Sequence, residues 1–292
     1  MNIITITDVR AMAGDSAFLL DDGKTSILYD SGFAFTGSRV AKNVKAVLKE
    51  RSLDYIFLTH SHYDHALGSV YVKKLYPNAK IVAGEYATKI FEKPTAKAVM
   101  RDLDKKFALT CGVSNYEDLI DNLSVDIAVK DGDKIIAGSL EFTVVALPGH
   151  TKCSIGYYLE EEKLLLGSET LGVYTGTEKV LPSYLIGYQI ALDSINKAQN
   201  LNIESILVPH YGLISGEEAK NYIKNGRINA EKTAEEIVNI ISNGGSDEDA
   251  LKFFLDKYYS GYAKEIYPID AIELNTRIMI KLIRKEIMGE TL

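Results

Sequence analysis

The sequence predicts an α/β fold in which strands and helices stack as a layered sandwich, followed by a helical appendage at the C-terminus. Three observations support this prediction. The first 35 residues have the pattern of strands, the next part of the chain mixes strands with helices, and strands return from Ser124. Beyond Gly216 only helical patterns remain. Each strand or helix with one apolar face needs another layer to cover it, so this order of elements favours a sandwich.

The N-terminal part begins with three short apolar and β-branched runs, IITIT, SAFLLDD and TSILYDSG, which are separated by Gly and Asp turn residues. A helix is predicted over residues 38–51, because valines recur there on one face. Residues 54–60 then have the pattern of a buried strand. Residues 66–76 are predicted as a helix that stops at Pro77, and residues 79–84 as another strand.

The remaining elements complete the sandwich and the appendage. Residues 85–123 are mostly helical in pattern, with breaks at Pro94 and Gly112. Five strands with short turns follow, namely SVDIAVK, DKIIAG, LEFTVVAL, CSIGYYLE and KLLLGSE. A helix over residues 183–200 leads to the strand ESILVP, and three helices are predicted after Gly216.

Composition and charge exclude several classes of function. The chain has 292 residues, of which 46% are hydrophobic and 25% charged, as in an ordinary soluble domain. Its net charge of −7 makes nucleic acid a poor partner, because that binding normally needs a basic surface. No apolar run reaches the roughly 18 residues that a membrane span needs. We therefore expect neither a nucleic-acid partner nor a membrane.

The N-terminus and the cysteines indicate a compartment. The first residues lack the basic head and the apolar stretch of a secretory signal. The chain has only 2 cysteines, Cys111 and Cys153, which excludes a disulfide framework. From these features we expect a cytoplasmic protein.

The histidines carry the main functional signal. All 5 of them lie at the ends of predicted strands or in the turns that follow. Three imidazoles and a carboxylate fall within six residues in the segment Thr-His-Ser-His-Tyr-Asp-His, and this donor set suits zinc or ferrous iron. An extended backbone would point alternate side chains the same way, with the last histidine swung back by the start of a helix. The four candidate ligands in this segment are His60, His62, Asp64 and His65.

Two further histidines and one aspartate occupy similar positions. His150 follows an apolar strand in a Leu-Pro-Gly-His-Thr turn, and His210 follows ESILVP. Both are predicted metal ligands, the alternative being hydrogen-bonded histidines without a metal. Asp30 ends an apolar strand, where a charge needs a partner. It is either a turn-capping residue or a carboxylate that orients a ligand histidine.

These motifs resemble the metallo-β-lactamase fold superfamily over about residues 1–215. The resemblance implies a four-layer αββα sandwich with a binuclear metal site, and leaves residues 216–292 as a helical extension. Carried over residue by residue, it assigns His60, His62 and His150 to one ion and Asp64, His65 and His210 to the other. The ions implied are two divalent cations, with zinc as the first choice and iron or manganese as alternatives.

The chain departs from the family pattern at the residue that bridges the two ions. The family usually has Asp in a Gly-Asp-Thr-like context, whereas this chain has Gly167-Ser168-Glu169-Thr170. We assign the bridge to Glu169, because a neutral hydroxyl is a poor ligand for two cations. The Glu-Thr-Leu-Gly run is also similar to the Asp-Ala-Leu-Gly run of one branch. That branch contains the quinolone-signal response protein and lies near the bacterial phosphorylcholine esterases.

The resemblance implies a binuclear metallohydrolase that uses a metal-bridging hydroxide on an ester, thioester or phosphodiester of a small molecule. Asp64 is the residue that would handle the proton. The sequence context at the bridge disfavours glyoxalase II and persulfide dioxygenase. Two alternatives stay open, namely a metal-containing regulatory protein that acts by binding a partner, and a di-iron redox enzyme.

The C-terminal helices and several tyrosines are candidates for substrate contacts. Residues 216–292 are expected either to cap the metal site and limit substrate size or to form a homodimer. Four tyrosines near the ligand segments are candidate substrate-binding residues, with covering of the core edge as the alternative. They are Tyr174, Tyr184, Tyr188 and Tyr211.

Overall fold

The computed structural model describes residues 4–291, which form strands and helices in the mixture that the sequence predicts. The chain divides into two compact units. The first consists of Met1–Ala146 and Ile155–Glu160, and the second of Leu147–Ser154 and Glu161–Leu292.

The first unit contains a six-stranded sheet whose strands lie side by side in chain order. The first three strands are antiparallel, and the third to the sixth run parallel. Parallel strands place their carboxyl ends at one edge, which brings the segments after β3 and β4 together. The strands are β1 (Thr5–Asp8), β2 (Phe18–Asp21), β3 (Ser26–Tyr29), β4 (Tyr55–Phe57), β5 (Lys80–Gly84) and β6 (Ile127–Val129).

Five α-helices belong to the first unit as described. They are α1 (Ala34–Leu48), α2 (Tyr63–Ala66), α3 (Ser69–Leu75), α4 (Glu85–Phe91) and α5 (Pro94–Thr110). The helix predicted over residues 66–76 is in fact divided between α2 and α3. Pro94 starts α5, because a proline at the first position of a helix loses no hydrogen bond.

Three antiparallel strands complete the first unit. They are β7 (Lys134–Ala137), β8 (Leu140–Ala146) and β9 (Ile155–Leu159). Buried and more exposed residues alternate along most of β8, as expected of a strand that covers a core with one face. His150 lies in the connection between β8 and β9.

The second unit contains three strands, one of which leads to His210. Strand β10 (Leu164–Leu166) pairs in parallel with β11 (Ser205–Val208), which pairs antiparallel with β12 (Gly212–Ser215). Helix α6 (Tyr188–Gln199) lies between β10 and β11 in the chain. Strand β12 was not predicted, because it has only two apolar side chains, Leu213 and Ile214, between Gly212 and Ser215.

Four helices follow β12 in the described chain, where the sequence predicted three. They are α7 (Glu217–Ser242), α8 (Asp247–Tyr258), α9 (Tyr262–Ile266) and α10 (Ile269–Glu286). The additional helix, α9, has 5 residues and is too short to show a periodic pattern. Helix α7 packs on β12, and α10 packs on α6, α7 and α8. No helix in residues 4–291 is both long enough and apolar enough to cross a membrane.

Candidate metal centre

The first unit gathers the four candidate ligands of the histidine-rich segment. The ring centroid of His60 lies 4.0 Å from that of His65 and 4.6 Å from that of His62. Asp64 Oδ2 lies 3.5 Å from His65 Nε2. The expected extended alternation stops at His62, because α2 begins at Tyr63. Asp64 therefore reaches this cluster from the first turn of a helix, not from an extended chain.

Asp30 is the anchor of this cluster. It is fully buried, and its Oδ2 lies 2.8 Å from His65 Nδ1. Thr59 donates its backbone N–H to Asp30 at 2.8 Å and its hydroxyl at 3.0 Å. The Thr59 hydroxyl is also 3.0 Å from His60 Nδ1. Because a carboxylate only accepts, His65 Nδ1 carries the donated proton, and Nε2 is the nitrogen suited to a metal.

The turn after β3 also fixes the backbone of α2, the helix that contains Asp64 and His65. Ser31 donates its N–H and its hydroxyl to the His65 carbonyl at 2.8 and 2.7 Å. Gly68 donates its N–H to the Gly32 carbonyl at 2.9 Å. A Cβ atom at Gly68 would lie 1.8 Å from the Ser31 carbonyl oxygen, so only glycine fits. These contacts place His65 against Asp30.

The second unit positions His150 by a different set of contacts. Its Nδ1 lies 2.8 Å from the Ser183 hydroxyl. The Thr170 hydroxyl accepts a hydrogen bond from the His150 N–H at 3.1 Å and donates to the Leu147 carbonyl at 2.6 Å. A Cβ atom at Gly149 would lie 2.6 Å from Thr170 Cγ2, which explains the glycine in this turn. Thr170 thus closes the turn that carries the histidine.

The carboxylate of Glu169 lies against two histidines of the same unit. Its Oε2 is 2.8 Å from His150 Nε2, and its Oε1 is 3.3 Å from His210 Nε2. The Glu169 side chain is only 3% exposed. The neighbouring Ser168 hydroxyl is buried and has no hydrogen-bond partner among the described residues. Glu169, and not Ser168, is the residue of this pair that meets the histidines.

Three positioning side chains escaped the sequence analysis, namely Thr59, Thr170 and Ser183. Thr59 and Thr170 are next to the predicted ligands His60 and Glu169 in the chain, and this position is the sequence feature that could have identified them. Ser183 lies 33 positions from the histidine that it contacts, so no local pattern could identify it.

The donor sets in both units suit a divalent metal ion. In the first unit, ligand atoms of His60 and His62 lie within 4.8 Å of one another, and so do those of Asp64 and His65. In the second unit, the same holds for His150 and Glu169. Imidazole nitrogens oriented by hydrogen bonds, together with carboxylates, are the donors that zinc and iron sites use. The identity and number of the ions stay predictions.

The four candidate substrate tyrosines differ in their surroundings. Tyr174 is buried and donates its hydroxyl to Glu218 at 2.6 Å, while Tyr184 is buried as well. Tyr188 and Tyr211 are half-buried. Their contact with a substrate stays a prediction.

Comparisons with known proteins identify related sequences. The model of the metallo-beta-lactamase superfamily matches residues 14–210. A protein named glyoxylase B2 from Dictyostelium discoideum is 32% identical over 180 residues, covering 59% of this chain and 57% of its own. A hydroxyacylglutathione hydrolase from Brucella anthropi is 29% identical over 150 residues, covering 50% of this chain and 45% of its own. The chain therefore spans about half the length of the curated relatives that it matches.

Solved structures show the same fold at low sequence identity. A metallo-beta-lactamase family protein from Thermus thermophilus has a TM-score of 0.63 at 17% identity, covering 94% of this chain and 88% of its own. An archaeal superfamily protein from Sulfolobus tokodaii has a TM-score of 0.58 at 16% identity, covering 94% of both chains. These similarities confirm the predicted fold class, in which two mixed sheets are flanked by helices and more helices follow at the C-terminus.

Proposed function

Because the chain belongs to the metallo-β-lactamase superfamily, we propose that it is a metal-dependent hydrolase of small thioester or ester substrates. The observation that carries this proposal is the way three predicted ligand histidines are held. His60, His65 and His150 each have Nδ1 within hydrogen-bond distance of a protein oxygen. This arrangement directs Nε2 toward coordination and is typical of metal-ligating histidines.

We assign two divalent ions to the site, with zinc as the first choice and iron or manganese as alternatives. His60, His62 and His150 would hold one ion, and Asp64, His65 and His210 the other. Glu169 would bridge them. This division follows the family pattern, with Glu169 in place of the usual aspartate. Support for Glu169 comes from the second unit, where its two carboxylate oxygens each lie near one histidine.

The ions would lower the pKa of a bound water toward neutrality and would stabilise negative charge on the substrate carbonyl oxygen. The protein itself supplies orientation. Asp30 holds His65 directly and His60 through Thr59, while Ser183 and Thr170 hold His150. Asp64, 13% exposed, is the more accessible carboxylate of its cluster and is the candidate to accept a proton during attack on the carbonyl.

The names of the relatives support the proposed substrate class. The sequence analysis disfavoured glyoxalase II because of the Gly-Ser-Glu-Thr run. The matching relatives are nevertheless named glyoxylase B2 and hydroxyacylglutathione hydrolase, so we place thioesters first. The Glu-for-Asp change is compatible with this order, because both side chains end in a carboxylate.

The proposal is tested by turnover of zinc-loaded protein on three substrates, S-lactoylglutathione, p-nitrophenyl butyrate and bis-p-nitrophenyl phosphate. We expect thioester cleavage to exceed phosphodiester cleavage, and His62→Ala to reduce it at least about 100-fold. Lys152→Ala serves as a control, because Lys152 is exposed and close to His150 in the chain. Full metal content with no turnover of any substrate would instead favour the partner-binding protein.

A further inference from the structure

Two tyrosines bracket the short helix α9 and contact two of the candidate ligand residues. Tyr262, at the start of α9, donates its hydroxyl to the His210 backbone carbonyl at 2.5 Å. Tyr267, just after its end, donates its hydroxyl to Glu169 Oε1. All four residues belong to the second unit. The C-terminal extension therefore reaches the ligand residues of its own unit through hydroxyl groups.

Tyr267 is itself held in place by neighbouring groups. The Tyr259 hydroxyl donates to the Tyr267 carbonyl at 3.0 Å, and the Tyr267 N–H donates to the Ala263 carbonyl at 3.1 Å. Its ring lies 5.6 Å from the His210 ring, at an interplanar angle of 62°. A hydroxyl on a ring fixed in this way has a defined direction.

A phenol hydroxyl suits the task of orienting a carboxylate that also serves as a ligand. A carboxylate oxygen can accept more than one hydrogen bond or ligand contact, so the Tyr267 hydroxyl and a metal can share Glu169. A neutral donor leaves the negative charge in place, whereas a lysine would offset it. A glutamate side chain has several rotatable bonds, and fixing it beforehand reduces the entropy lost when it coordinates.

The backbone of His210 also requires support. This residue has φ of 62°, in the left-handed region that non-glycine residues seldom adopt. The Tyr262 hydroxyl binds the carbonyl of that same residue. The two tyrosines thus act on the two features that place ligand atoms in this unit, the Glu169 side chain and the His210 backbone.

We propose that Tyr267 is a positioning residue that orients the Glu169 carboxylate for metal binding, and that α9 couples the C-terminal extension to the metal centre. This inference rests on the proposed function, in which Glu169 is a ligand. The hydroxyl of Tyr267 acts through Glu169 and takes no part in the reaction itself.

The test compares three variants with the wild-type protein, namely Tyr267→Phe, Tyr258→Phe and Glu169→Gln. Tyr258 is the matched control, because its hydroxyl binds the Thr233 hydroxyl at 2.7 Å within the C-terminal helices and contacts no candidate ligand. Zinc affinity is measured by competition with a chromophoric chelator. The visible absorption of the cobalt(II)-loaded protein reports the ligand geometry, and the melting temperature of the metal-free protein reports folding.

We expect Tyr267→Phe to weaken zinc binding about 10-fold or more and to change the cobalt spectrum. Tyr258→Phe should keep both at wild-type values while lowering the melting temperature by about 3 °C. Equal losses of zinc affinity in the two tyrosine variants would reduce Tyr267 to a structural role and overturn the inference.

Glu169→Gln separates this inference from the proposed function. If Glu169→Gln weakens zinc binding but Tyr267→Phe stays within twofold of wild type, the positioning role is wrong and the ligand role stands. If both variants bind zinc as the wild type does, the ligand role of Glu169 is wrong, and the inference is wrong with it.

Discussion

At the scale of the residue, the chain relies on groups that hold histidines rather than on the histidines alone. Asp30 shows this most clearly, because it is fully buried and accepts hydrogen bonds from His65, Thr59 and Ser16. A buried carboxylate without such donors would be costly. The sequence left Asp30 as either a turn-capping residue or a carboxylate that orients a ligand histidine, and the contact with His65 favours the second interpretation.

The first prediction concerns which residue of the Gly-Ser-Glu-Thr run, Ser168 or Glu169, binds the metal ions. Glu169→Gln should lower metal affinity about 10-fold or more, because a neutral amide does not offset the charge of the cations. Ser168→Ala should have little effect, since its hydroxyl has no hydrogen-bond partner in the described chain. Equilibrium dialysis against zinc checks both. A larger loss for Ser168→Ala would show that the bridge was assigned to the wrong residue.

A second prediction concerns Asp104, a fully buried carboxyl on α5. Burial raises its pKa from 3.8 to about 6, although the Tyr116 hydroxyl and the Ala34 N–H donate to it. The neighbouring Asp15, which is also buried, contributes to this rise in the pKa. The folded protein therefore binds this proton more tightly than the unfolded chain does. The stabilisation that results from the raised pKa of Asp104 is at most ~3 kcal/mol. It is fully present below about pH 4 and is lost as the pH rises through about 6.

The variant Asp104→Asn should remove this dependence, because an amide does not titrate in this range. We expect the variant to be more stable relative to wild type at pH 7.5 than at pH 4.5, because only the wild type loses stability as the pH rises. Urea unfolding of the metal-free proteins at the two pH values measures this. The same difference at both pH values would contradict a raised pKa for Asp104.

At the scale of the element, helix ends and turns decide where the ligands lie. The turn after β3 meets the connection between α2 and α3 at Gly68, where any side chain would collide with the Ser31 carbonyl. In the C-terminal extension, Ser246 and Asp249 form a capping box at the start of α8.

This cap gives the third prediction. Ser246→Ala removes the acceptor for the Asp249 N–H and should lower the free energy of unfolding by about 1 kcal/mol. Ser242→Ala is the control, because Ser242 ends α7 and does not cap it. Chemical denaturation compares the two variants, with the same dependence of the free energy of unfolding on denaturant concentration used for both. Equal stability of the two variants would show that the capping box contributes nothing measurable.

The elements also show what the sequence could and could not predict. The strands from β1 to β11 were predicted from runs of apolar and β-branched residues, and helices α7, α8 and α10 from apolar residues at helical spacing. In α10, Ile272, Thr276, Met279 and Ile283 are buried at helical spacing, whereas Ile287, beyond the end of the helix, is 44% exposed. Helix α9 has too few residues for a helical period to be visible, and β12 has only two apolar side chains between a glycine and a serine.

In the candidate site, too, some residues could be predicted from the sequence and others could not. Its candidate ligands could be named from the sequence, because histidines and carboxylates cluster at strand ends in a recognisable order. Tyr262 and Tyr267 could not be, because they lie 52 and 98 positions from the residues that they contact. Such pairs depend on how the C-terminal helices pack, and no local pattern encodes that.

At the scale of the whole molecule, metal binding should be linked to folding. If the ligands come together only in the folded chain, each bound ion stabilises the folded state by mass action. We therefore expect that zinc at about 100 times its dissociation constant raises the free energy of unfolding by about 3 kcal/mol. Unfolding with and without a chelator measures this effect. An unchanged stability would mean that the ligands bind no metal in the folded protein.

The cap interpretation of residues 216–292 stays a prediction at this scale, with dimerisation as its alternative. The contacts of Tyr262 with His210 and of Tyr267 with Glu169 place this part of the extension beside candidate ligand residues of its own unit. Analytical ultracentrifugation of the full chain would report the oligomeric state and thereby test the dimer.

The central claim is a centre of two metal ions, and the metal content of the full chain tests it most directly. Native mass spectrometry of zinc-loaded protein should show two ions per chain in the wild type and fewer in both His62→Ala and Asp64→Ala. Lys152→Ala, prepared in parallel, should retain two. Two ions in both ligand variants, or none in the wild type, would contradict the account.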